Sequence, residues 1–100
     1  MEDNVLQLGG NIELSGFSGL DGGAMIVLKK IIGNYVNKMS HQTTNLEKVS
    51  ITMKTVHENK YELKAKILHN GTAVNGSAID RNIYVAVDTA LKSIMTQISK

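Results

Sequence analysis

Three histidines, His41, His57 and His69, and nine carboxylates are the side chains of this chain best suited to proton transfer or metal ligation. Metal binding needs ligands at spacings that a helix or turn can bring together, and the histidines fall in three separate predicted turns with no such spacing. The carboxylates are scattered in the same way, and no Ser stands in a recognisable motif with a His and an acid. The glycine pairs at positions 9–10 and 22–23 lack the Lys-Ser/Thr ending of a phosphate loop. Cysteine is absent, which excludes thiolate nucleophiles, thiolate metal sites and disulfides. The sequence therefore predicts no enzyme, no cofactor and no metal.

The chemistry it does offer is electrostatic. The net charge of +2 is small, so its distribution matters more than its total. Residues 1–21 hold four acids and no base, while residues 22–45 hold Lys29, Lys30 and Lys38 and no acid. Residues 46–80 are nearly balanced, with five bases against four acids, and residues 81–100 set Arg81, Lys92 and Lys100 against Asp88. Clustered cations attract phosphates and release their counterions, so Lys29, Lys30, Lys38, Arg81, Lys92 and Lys100 are the candidate RNA-binding residues. Lysines on one helix are by themselves ordinary solvated charge. They make a site only if the two basic segments lie side by side.

Those segments carry helical periodicity. Met25, Leu28, Ile31, Ile32, Tyr35, Val36 and Met39 recur at steps of three and four, one apolar stripe between Ala24 and Met39, with Asp21 as its cap. A second helix is expected from Arg81 to Ser99, capped by Asp80, with Ile83, Val87, Ala90, Leu91, Ile94 and Ile98 inward and an Asp88–Lys92 pair outward. Between them the period drops to two. Val49, Ile51 and Met53 alternate with Ser50, Thr52 and Lys54, and Tyr61, Leu63, Ala65 and Ile67 alternate with Glu62, Lys64 and Lys66. Asn70-Gly71 suits a tight hairpin, a weaker strand follows over 73–79, and another precedes the first helix over 11–17. Tyr35 and Tyr61 fall on apolar faces, which leaves the wet sheet face without rings for base stacking.

The elements add up to an α+β, two-layer β-α-β-β-β-α sandwich: an antiparallel-rich four-stranded sheet with two helices on one face and water on the other. A chain of 100 residues has room for one core, so residues 1–100 form a single domain, with 1–10 as a candidate flexible leader. No apolar run of about 18 residues predicts a membrane span and no secretory signal opens the chain, so the cytoplasm is expected.

That element order is double-stranded-RNA-binding-like. The closing stretch is more specific: Tyr84, Ala86 and Asp88 at alternate positions, then Gln97 nine residues after the acid and a base at Lys100. It resembles the last helix of the short ribosome hibernation-promoting factors, also called ribosome-associated translation inhibitors, and the looser likeness runs from Asn11 to Lys100. The resemblance implies a stress-response protein that binds ribosomal RNA in the decoding region of the small ribosomal subunit and holds the ribosome idle. By it, the first-helix bases of the family correspond to Lys29, Lys30 and Lys38 and the last-helix ones to Lys92 and Lys100. The chain is less basic than the family, and its acidic MEDN opening would repel RNA locally. Two other readings stand beside this one: a homodimeric protein-interaction module using the open sheet or an edge strand, and a binder of free double-stranded RNA.

Overall fold

Alternating burial along the strands decides where everything else must sit. In the computed structural model, which describes residues 5–7, 11–56 and 59–99, strand β3 (Leu46–Val56) buries Val49, Ile51 and Met53 on one side. Its antiparallel partner β4 (Lys60–His69) buries Leu63, Ala65 and Ile67 on the same side. Strand β5 (Thr72–Asp80) pairs antiparallel with β4, and β2 (Ile12–Ser15) pairs parallel with β3. The four-stranded β-α-β-β-β-α framework expected from the sequence is present. A short strand β1 (Val5–Gln7) adds a fifth member, antiparallel to β2, giving the order β1-β2-β3-β4-β5.

The connection between β4 and β5 is the hairpin that Asn70-Gly71 requires. Both residues have positive φ, 49° and 76°, which matches the right-handed twist of the flanking strands and closes His69 onto Thr72. At the β3–β4 turn, Asn59 also has positive φ, while His57 lies outside the described residues.

Helices α1 (Gly22–Gln42) and α2 (Ile83–Ile98) form the second layer, packed against each other. The apolar stripe of α1 buries Leu28, Ile32 and Met39 and half-buries Met25, Ile31, Tyr35 and Val36. Helix α2 buries Ile83, Ala86, Val87, Ala90, Leu91 and Ile94 and packs across β4 and β5. With Leu14 and Phe17 these side chains make one core, each large apolar group contributing roughly 1.5–3 kcal/mol by leaving water.

Asp21 caps α1 as expected, its carboxylate accepting from the Ala24 N–H at 2.8 Å. The cap of α2 differs. Asn82, not Asp80, accepts from the Tyr84 and Val85 N–H groups, and Asp80 instead accepts from the Asn82 N–H. An N-cap must stand immediately before the first helical residue to reach those orphan amides, and the helix begins two residues later than its polar face suggests. Among the described residues, no helix is long and apolar enough to cross a membrane.

Candidate nucleic-acid interface

Helix α1 carries Lys29, Lys30 and Lys38 with no acid along its 21 residues, and all three side chains are exposed. They do not form one tight cluster. Nine residues separate Lys29 from Lys38, two and a half turns of about 3.6 residues, so the two project from opposite flanks of the helix with Lys30 between them. Lys38 is on the flank facing α2. Its ammonium stands 5.5 Å from the centroid of the Tyr35 ring, within cation–π range.

Tyr35 in turn ties the helices together. Its hydroxyl donates to the Asp88 carboxylate of α2 at 2.8 Å. Burial, then the hydrogen bond to Asp88, then the repulsion between phenolate and carboxylate push the Tyr35 hydroxyl up to about 12. The expected Asp88–Lys92 pair is not formed, because the carboxylate is turned to α1. Lys92 stands exposed one turn further along α2, whose own Asp88 and Lys92 cancel in charge. Arg81 is exposed in the loop ahead of α2, beside Lys60, Ile79 and Asp80, and Lys100 lies outside the described residues.

Four of the residues that carried the sequence resemblance are engaged in contacts within the fold. Ala86 is fully buried, Tyr84 is half-buried against the core, and Gln97 donates to the Asn75 carbonyl of β5 at 2.6 Å. With Asp88 committed to Tyr35, the motif Tyr84, Ala86, Asp88, Gln97 fastens α2 to its neighbours on both sides.

The architecture built this way has a precedent. The chain shares its fold with a ribosomal subunit interface protein from Coxiella burnetii. The two match with a TM-score of 0.62 at 15% sequence identity, over 89% of this chain and 91% of that one. No protein-family model and no curated protein matches the chain.

Within that fold the described residues bring no three His, Asp or Glu side chains together as a metal site, His41 and His69 included. They do bring together cations that the charge count along the chain concealed. The near-balance of residues 46–80 averages over both sides of the sheet. On the water-facing side of β3 and β4 stand Lys48, Lys54, Lys60, Lys64 and Lys66 together with Glu62, and a second acid of β3, the exposed Glu47, stands at the irregularity between Leu46 and Lys48. Glu13 of β2 pairs with Lys48 at 3.2 Å and Glu62 with Lys54 at 3.8 Å. The alternation that placed these lysines on the wet face was visible in the sequence; counting their charges by face would have found them.

Proposed function

We propose that this protein is a ribosome-associated translation inhibitor of the hibernation type, which occupies the RNA-lined decoding region of the small ribosomal subunit in the cytoplasm. The observation that carries the proposal is the fold shared over nine-tenths of the chain with a ribosomal subunit interface protein. Two features of this chain support it. An acid-free helix presents Lys29, Lys30 and Lys38 to solvent, and Lys92 stands exposed on the helix packed against it, which supplies cations for ribosomal RNA phosphates. The motif residues of α2 are engaged in packing, so contact with RNA falls to the lysines.

The mode of action is steric: a rigid two-layer domain fills a channel that messenger and transfer RNA need, with no reaction and no cofactor. A homodimer through the sheet edge has less support, since Gln97 already occupies a backbone acceptor of the edge strand β5.

Co-sedimentation with purified small subunits across a salt series tests the proposal. Wild-type protein is expected to bind at low salt and to dissociate log-linearly as salt rises. Reversal of charge in the triple variant K30E/K38E/K92E is expected to abolish co-sedimentation while leaving the circular dichroism spectrum intact. Unchanged co-sedimentation of that variant would overturn the assignment of the helical surface, and no binding by the wild type would overturn the function.

A further inference from the structure

We infer that the open face of the sheet, on the opposite side of the domain from the helices, is a second binding surface for an RNA phosphate backbone, centred on Lys64 and Lys66. The RNA partner is taken from the function proposed above; the surface is argued independently of it.

The strand register lays two complete rows across this face. One runs Glu13, Ser50, Lys66, Asn75 and the next Ser15, Thr52, Lys64, Ser77, from β2 through β5. Lys64 and Lys66 are neighbours on one side of the central strand β4, about 7 Å apart along it. Both are exposed, and among the described residues neither is ion-paired, whereas Lys48 and Lys54 are held by Glu13 and Glu62. A shallow concavity of about 280 Å³ opens beside Lys64, with Asn75 and Ser77 on its rim.

The chemistry of these rows selects the partner. Protein interfaces centre on desolvated apolar or aromatic anchors, and neither row contains one; the one large exposed apolar side chain of β5, Ile79, lies in the next row, opposite Glu62 on the edge strand. Two ammonium groups without an ion-pair partner among the described residues, flanked by the hydroxyls of Ser50, Thr52 and Ser77 and the amide of Asn75, with the one carboxylate of the rows, Glu13, held by Lys48, are instead the side chains that contact phosphate and sugar oxygens. With no aromatic ring on these rows there is no platform for base stacking, so the binding reads backbone and not sequence. Cationic surfaces on both sides of a thin domain would let it contact two RNA segments at once.

The test is the salt dependence of binding to a labelled oligouridine, compared between wild type, K64Q/K66Q and the charge-conserving K64R/K66R. Removing two phosphate contacts to a single strand is expected to lower the slope of log affinity against log salt by about 1.4, and affinity at 0.1 M salt by about tenfold or more. K64R/K66R is expected to keep the wild-type slope, and matched thermal melts of all three proteins establish that the fold is intact. An unchanged slope in K64Q/K66Q, or a wild type that does not bind the oligouridine, overturns the inference. The same proteins in the small-subunit assay separate the two proposals. Oligouridine binding that depends on Lys64 and Lys66 without co-sedimentation sinks the function and keeps this surface; co-sedimentation with an unchanged slope does the reverse.

Discussion

Helix α2 is held by two seams of opposite character. Toward β5 the contact is dry and close: a Cβ on Gly76 would fall inside the contact distance of the Ala90 carbonyl oxygen and press on Ser93 and Ile94. Toward α1 the seam ends in a partly exposed polar link, Tyr35 to Asp88, with Lys38 above the ring. The first is fixed by shape and the second by charge. The difference teaches that a helix can be positioned rigidly on its sheet while its junction with the neighbouring helix stays sensitive to solvent conditions.

The largest expected effect breaks the dry seam. Gly76→Ala places a methyl group against backbone, which cannot rotate aside as a flexible side chain would. Overpacking of this kind costs typically 1–3 kcal/mol, and with a carbonyl as the obstacle the upper end, about 3 kcal/mol, is expected. For a domain of this size that lowers the melting temperature by on the order of 10 °C or more, measurable by thermal denaturation. A change of only a degree or two would mean that α2 lifts from β5 easily and that the seam is not a shape constraint.

The polar seam should respond less to mutation and more to pH. Tyr35→Phe removes one hydrogen bond to a charged acceptor, and since the site is partly exposed a loss of about 1 kcal/mol is expected. Its pH dependence has a definite sign. The folded state keeps the Tyr35 proton up to about pH 12, whereas an unfolded tyrosine loses it near 10. The stabilisation is therefore complete below pH 10 and is lost as pH rises toward about 12. Urea unfolding between roughly pH 9 and 12 should show the wild type losing its advantage over Tyr35→Phe across that window. A constant gap would show that the hydroxyl is not the link. Because the motif acts in packing, the same variant is expected to co-sediment with small subunits as the wild type does.

Local periodicity explains which parts of this molecule were legible beforehand. The alternation of Val49, Ile51 and Met53, the stripe of α1 and the Asn70-Gly71 turn are patterns within a few residues, and each appears where it was expected. Three residues of β1 are too short to display a period, and its pairing with β2 is a property of the folded sheet. The partner of Asp88 is a side chain 53 residues away, invisible beside the nearer and more obvious Lys92. Among the candidate cations, exposure was readable from helix phase, but their grouping was not. Lys29 and Lys38 diverge around one helix, while Lys64 and Lys66, hidden in a charge-balanced stretch, stand together on one strand face.

The smallest expected effect lies at the far end of the dry seam, where shape gives way to a single hydrogen bond. Gln97 reaches from the last turn of α2 to the Asn75 carbonyl and also donates to the Ser93 carbonyl at 3.3 Å. Its side chain is exposed, so water can replace it, and Gln97→Ala should cost only about 0.5 kcal/mol. The variant matters for another reason. Freeing an acceptor on edge strand β5 gives a second chain something to pair with, and edges left unpaired invite association. If Gln97 guards that edge, sedimentation of Gln97→Ala at high protein concentration should reveal self-association that the wild type lacks, at nearly unchanged melting temperature. Equal behaviour of the two proteins would assign Gln97 to fastening α2 alone, and a loss of stability as large as that of Gly76→Ala would erase the distinction between a seam held by shape and one held by polar contacts.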